Sequence, residues 1–173
     1  MVYHIPALLK ESIDGLNIRS DGTYVDVTFG GGGHSMEILK KLKTGRLIAF
    51  DQDEDAELNI PADKRLLYLN QNFRFLKNNL LFHGIRSIDG LIADLGVSFH
   101  QFDEPVRGFT FRQDAPLDMR MNKSGQVMAT DILNSLDEKS LADIFYQYGE
   151  LSNSRRISKE IVAAMAANFP FFS

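Results

Sequence analysis

The chain has 173 residues, enough for one domain or slightly more with a proper buried core. With 44% apolar and 24% charged residues it has the balance of an ordinary soluble protein, and a formal net charge of −4 excludes general attraction to nucleic acid, so such a partner has to meet a local basic patch. The absence of cysteine excludes disulfides, thiolate metal sites and cysteine nucleophiles together, and fits a reducing, cytoplasmic setting.

The start, Met1-Val2-Tyr3-His4-Ile5-Pro6, has neither a basic n-region nor a long apolar run, and no later stretch reaches membrane-spanning length. A soluble, untargeted chain with no membrane partner is expected. Pro6 to Ile13 suits a short amphipathic helix opening with proline in its first turn and ending near Gly15. Tyr24 to Ser35 then reads as strand, glycine turn and helix start. Val25 and Val27 suit a buried strand, and Gly30 to Gly33 can take positive φ and let a ligand approach bare backbone. In the helix that follows, Met36, Leu39 and Leu42 fall on one face, and its unpaired N–H groups point into the turn.

Arg46 to Asp51 is a continuous apolar run closed by an acid, as buried parallel strands read. Arg65 to Asn70 is a third strand, followed by a helix from Phe75 to Phe82 that Gly84 stops. Ile88 to Asp94 is a fourth, again ending in an acid. Strands alternating with helices predict a doubly wound parallel sheet with ligand at the carboxyl ends of the strands. If the first strand lies beside the fourth, Gly30 to Gly33, Asp51 and Asp94 line the crevice between them. From Gly96 to about Met128 no period is clear, so a long ordered loop is expected. Ala129 to Leu136, Glu138 to Phe145 ending at Gly149, and Arg155 to about Asn168 read as helices packing on one another, before an apolar ending, Phe169 to Ser173.

The glycine turn alone is ambiguous between a nucleotide-type ligand and a tight structural turn. The dinucleotide spacing wants a third glycine where Ser35 stands, and the phosphate-loop pattern lacks its Lys-Ser/Thr. Asp51 favours the ligand, because an acid closing the next strand is placed to accept hydrogen bonds from ribose hydroxyls; the plainer reading is an acid starting a turn. Asp51, Asp53 and Asp55 imitate a calcium loop, but Ala56 replaces its glycine and Ala62 its closing glutamate, so no metal site is expected. Asp94 either caps a turn or faces reacting atoms. Arg107 to Arg112 interleaves arginines with Phe109 and Phe111, which suits either base stacking with a phosphate contact or a loop folded on its own phenylalanines. Arg155, Arg156 and Lys159 suit RNA contact or simply a wet helix face, and His34 a helix cap.

With these residues placed, the chain resembles the bacterial small-subunit ribosomal RNA methyltransferase H family, also called MraW. The matching words are Val25 to Ser35, Asp94-Leu95-Gly96-Val97-Ser98, Arg107-Gly108-Phe109-Thr110-Phe111 and Pro116-Leu117-Asp118-Met119-Arg120-Met121, in that order, and the likeness runs from His4 to about Ala163. It implies a Rossmann-like S-adenosylmethionine-dependent methyltransferase sheet, here its N-terminal part of about four parallel strands over residues 1–104. Residues 105–173 then form a loop and the start of a helical substrate-recognition insertion. It also implies methyl transfer to N4 of a cytidine in small-subunit ribosomal RNA. Carried over by position, Gly32, Gly33, His34, Asp51, Phe73, Asp94 and Gln101 hold S-adenosylmethionine, and Arg107, Phe109, Phe111, Asp118 and Arg120 face the RNA.

The inventory agrees with that chemistry. Methylation at carbon 5 of cytosine ordinarily uses a cysteine, which is absent, whereas transfer to the exocyclic amine needs alignment and a hydrogen-bond acceptor. Asp94 is the expected catalytic acceptor. Phe99-His100 stands where the family usually has Ser-Pro, Ala115 where it often has Gly, and a late Ser-Phe-His-Ser-Leu-Glu-Asp segment has no counterpart here. The expectation is therefore a fragment of a longer protein, not fully active alone, or a homodimer that covers the open edge of the fourth strand. Two other classes stay open: a nicotinamide-dependent oxidoreductase, which shares the glycine turn and ribose acid, and a non-catalytic binding or assembly fragment.

Overall fold

A computed structural model describes residues 6–167; the start, Met1 to Ile5, and the apolar ending at Phe169 to Ser173 lie outside the described residues. The chain divides into two compact units. The first holds the chain through Ser98 together with Met121–Lys123, and the second holds Phe99–Arg120 and the chain from Ser124.

In the first unit, β1 (Thr23–Asp26), β2 (Arg46–Asp51), β3 (Leu66–Asn70) and β4 (Gly90–Ile92) form one sheet in the order β3-β2-β1-β4. Every pairing is parallel, with Val25 opposite both Ile48 and Leu91. Consecutive apolar residues in β1 and β2 bury on opposite faces, which is why those strands read as unbroken apolar runs. On one face Tyr24 and Leu47 meet Ile13 of α1 (Leu9–Gly15) and Ile38, Leu39 and Leu42 of and beyond α2 (Gly33–Lys41). On the other, Val25, Val27, Ile48 and Phe50 meet Leu76 and Leu80 of α3 (Leu76–Phe82). Ile48 is 1% exposed, so truncating it to alanine costs about 2–5 kcal/mol.

Three expectations shift. The first helix begins at Leu9 and not in the turn after Pro6, because Leu8 takes a left-handed conformation (φ 52). The buried stripe of α2 is Ser35, Ile38, Leu39 and then Leu42, at the spacing i, i+3, i+4, i+7; Met36 sits a turn-third off that stripe and is only half-buried. The fourth strand is shorter than Ile88 to Asp94. Asp89 at its start is occupied, accepting from Thr23 N at 2.8 Å and Arg19 Nη2 at 2.7 Å, and Ala93 and Asp94 lie past the point where β1 ends.

In the second unit, α4 (Phe99–Asp103) and a 3-10 turn at Pro105–Arg107 occupy part of what was expected to be loop; elements of five and three residues are too short to display a helical period. Gly108 then reverses the chain at φ 75, and a Cβ there would lie 2.6 Å from Asp118 N. The returning limb of this loop is held by Met119 N to Arg107 O at 2.9 Å and leads through Ala129 N to Asp118 O at 2.8 Å. α5 (Ala129–Ser135), α6 (Glu138–Gln147) and α7 (Ser154–Ala166) follow. Asp137 caps α6, accepting from Ser140 N at 2.7 Å, and α6 buries Leu141 and Ala142 while α7 buries the small residues Ser154 and Ser158.

Candidate functional site

The carboxyl ends of β1, β2 and β4 are tied together by side chains that the sheet itself delivers. Beyond Asp26, β1 parts from one neighbour and turns to the other: Val27 N donates to Ile92 O at 3.1 Å, while Phe29 N donates to Phe50 O at 2.9 Å. That divergence is the switch point of the sheet, where open α/β folds bind ligands. Thr28 sits at the fork, and its Oγ1 accepts from Asp94 N at 2.8 Å, fixing the backbone past β4 against the end of β1.

The glycine turn is gripped from two sides. Asp51, the last residue of β2, accepts from Gly30 N at 2.7 Å with one oxygen and from Asp53 N at 2.9 Å with the other. From the 3-10 turn Glu54–Asn59, Asn59 Nδ2 donates to Gly30 O at 3.2 Å. Gly30 and Gly32 both have positive φ, 51 and 77. A Cβ on Gly32 would come within 3.0 Å of the Phe29 ring, which is itself packed edge-on against Tyr68 at 5.2 Å. Gly33 is glycine for another reason, since a Cβ there would lie 2.4 Å from Pro6 Cγ. By contrast the space a Cβ would take is open at Gly30, nearest atom 4.0 Å, and at Gly96, where nothing lies within 4 Å. Bare, unobstructed backbone therefore stands at the ends of both β1 and β4.

Asp26 is the residue that sequence reasoning passed over. It is 1% exposed, and its two oxygens accept from Ser35 Oγ at 2.7 Å and Thr28 N at 3.0 Å, which latches the start of α2 to the end of β1. Ser35, standing where a dinucleotide site has glycine, is thus a strut. The signal was present, because Asp26 ends its strand as Asp51 ends the next. Burial pushes the Asp26 carboxyl above its ordinary value, opposed by the Ser35 and Thr28 hydrogen bonds; Asp51 is raised for the same reason, opposed by the Asp53 and Gly30 amides. A half-desolvated carboxylate such as Asp51 gains from any further donor, and hydroxyl groups supply one. His34 is 5% exposed, and its Nε2 has no hydrogen-bond partner among the described residues.

Of the cofactor residues named from sequence, Gly32, Gly33, His34, Asp51, Phe73 and Asp94 all belong to the first unit. Phe73, 42% exposed, opens the 3-10 turn Phe73–Phe75 behind Asn72, whose Oδ1 accepts from Arg74 N at 2.9 Å. Asp94 is exposed two residues past β4. Gln101 belongs to the second unit, where it is buried in α4.

The second unit also holds all five residues expected to face RNA, and they differ in what they do there. Asp118 and Arg120 form a two-pronged pair at 2.7 and 2.6 Å, and Arg120 also donates to Gly125 O at 2.6 Å. Arg120 holds the Asp118 carboxyl below its usual range. Arg107 is 4% exposed and donates to Arg120 O at 3.0 Å, so these three brace the loop. Phe109 is half-buried, whereas Phe111 is 99% exposed.

The model of the MraW methylase family matches residues 1–171. The chain belongs to that family. Among curated relatives, the ribosomal RNA small subunit methyltransferase H of Bacteroides thetaiotaomicron is 58% identical over 165 residues, covering 95% of this chain and 54% of the relative. The protein of the same name from Bacteroides fragilis is 58% identical, covering 94% and 54%. That from Flavobacterium johnsoniae is 54% identical, covering 95% and 55%. This MraW chain spans about half the length of the curated relatives it matches. Membership sets aside the nicotinamide-dependent class and brings the general use of S-adenosylmethionine with the family. No helix among the described residues is long and apolar enough to cross a membrane.

Proposed function

We propose that this chain forms the cofactor-binding part of an S-adenosylmethionine-dependent methyltransferase acting on the exocyclic N4 amine of a cytidine in small-subunit ribosomal RNA. The observation that carries the reading is the junction at the switch point, where Asp51 and Asn59 fix an open glycine turn and Thr28 fixes the Asp94 backbone beside it. Gly32, Gly33 and the buried His34 would hold the polar end of the cofactor, Asp51 its ribose hydroxyls and Phe73 its adenine. Bound there, S-adenosylmethionine supplies an electrophilic methyl on a sulfonium.

The chain's own part is to align the amine and take charge from it. The lone pair of a cytosine amine is delocalised into the ring, so the nitrogen needs an acceptor as it rehybridises and gives up a proton. The exposed Asp94 carboxylate is that acceptor. Residues 105–173 act as the substrate-recognition insertion: Arg107, Asp118 and Arg120 shape its loop, and Phe109 and the fully exposed Phe111 offer faces on which an unpaired base stacks. The outer edge of β4, opposite its pairing with β1, meets no strand among the described residues, and Leu91 is 41% exposed; we extend the proposal to a second copy covering that edge in the cytoplasm.

The test has two stages. Calorimetry should find binding of S-adenosylhomocysteine and none of NADH. Asp94→Ala should then cut methyl transfer to cytidine N4 in ribosomal RNA by about a hundredfold or more, with cofactor affinity changed less than about threefold. Equal losses in both would make Asp94 a binding residue, and no S-adenosylhomocysteine binding would end the proposal.

A further inference from the structure

Three residues, Met121 to Lys123, belong to the first unit although the chain on either side of them belongs to the second. Two anchors tie this segment to the first unit. Lys123 Nζ donates to both carboxylate oxygens of Asp55, each at 2.7 Å. Met121 Sδ accepts from Gln52 Nε2 at 3.6 Å, and the same amide accepts from Asn72 Nδ2 at 2.7 Å through its oxygen.

Each anchor lands on a group that shapes the rim of the cofactor site. Gln52 adjoins the ribose acceptor Asp51, and Asn72 adjoins Phe73. Asp55 lies in the same 3-10 turn as Asn59, which braces the Gly30 carbonyl. We propose that Met121–Lys123 is a clasp on this rim, with Gln52 and Lys123 as positioning residues that hold Asp51, Phe73 and the glycine turn in register for the adenosine part of the cofactor. The inference rests on the cofactor reading above and deepens it.

Both anchors are of kinds that are weak one by one. The ion pair is partly open to water, with 44% and 25% of its side chains exposed, and is screened by salt. A thioether is a weak acceptor. Binding of an uncharged adenosine ligand should therefore depend on ionic strength, although the ligand itself gives salt nothing to screen.

The probes are 5′-methylthioadenosine, which is uncharged, and S-adenosylhomocysteine. Lys123→Ala and Gln52→Leu should each weaken both ligands by the same factor, about threefold, and Lys123→Ala should abolish the salt dependence seen with 5′-methylthioadenosine. Exchanging the charges, Lys123→Asp with Asp55→Lys, should recover part of the loss, which a merely unfolded rim would not. Unchanged affinity for both ligands in both single variants overturns the clasp. A ligand-free arm separates it from the cofactor reading: amide hydrogen exchange across Asp53 to Asn59 should quicken about threefold in Lys123→Ala. If exchange there is unchanged the clasp falls, whatever binds; if exchange quickens but the parent chain binds neither adenosine ligand, the clasp stands as a structural tie and its role toward the cofactor falls with the cofactor reading.

Discussion

Ser35→Ala removes one hydroxyl and isolates a charge. In the native chain that hydroxyl donates at 2.7 Å to Asp26, which is 1% exposed and accepts its other hydrogen bond from Thr28 N at 3.0 Å. Alanine keeps the helix propensity, so helix formation itself is not the target. What is lost is a charge-assisted hydrogen bond within the core, leaving Asp26 Oδ2 buried with no donor in its place, a cost of about 2 kcal/mol. For a unit of about a hundred residues that lowers the melting temperature by roughly 10 °C. The sign of the pH dependence follows from burial. Asp26 is held above its unfolded value of 3.8, so the fold binds a proton more tightly than the unfolded chain, and stability falls as pH rises through the window above 3.8. Removing the Ser35 donor raises the carboxyl further, so the defect should be larger at neutral pH than near pH 4. Urea unfolding followed by far-ultraviolet circular dichroism, repeated across pH, measures both quantities. In an Asp26→Asn background, where no charge is buried, the Ser35→Ala penalty should shrink by about half. A Ser35→Ala chain as stable as the parent at neutral pH, or a penalty independent of pH, would refute the latch.

Gly32→Ala puts a Cβ 3.0 Å from the Phe29 ring on a backbone at φ 77; it should cost about 1–2 kcal/mol and weaken S-adenosylhomocysteine about tenfold by calorimetry. Asp118→Asn breaks the fork with Arg120. Because Asp118 is held below 3.8, its contribution is present above that value and is lost as pH falls through the depressed one, so the variant's unfolding profile should flatten on the acid side while the parent's falls. Phe111→Ala should leave the melting temperature within about 2 °C, since the ring is 99% exposed, and reduce RNA affinity about tenfold in a filter-binding assay. A melting temperature that drops with unchanged RNA binding would make the ring structural.

β2 was legible to the residue because both faces of a central parallel strand are covered, and only an unbroken apolar run satisfies both. The fourth strand was overdrawn because apolar composition continues past Ile92 while its pairing partner does not; length in a sheet is set by the neighbour. The short α4 carried no period to read. Within the site, glycine spacing and strand-end acids could be seen in one dimension. The Asp26–Ser35 latch, the Asn59 brace and the Gln52–Asn72 bridge join residues 9, 29 and 20 positions apart, a pairing that only packing creates.

The sequence by itself determined the alternation of buried strands and amphipathic helices, and with it the sheet and the end at which its loops gather, because periodicity and turn chemistry are local properties of the chain. The tertiary structure alone decided which polar groups are spent on one another. Arg107, Asp118 and Arg120 look alike in sequence to residues that wait for a ligand, yet they are drawn into their own loop, while Phe111 is left in water. A buried charge has to find its partner across the fold, and no reading along the chain reveals which partner it finds.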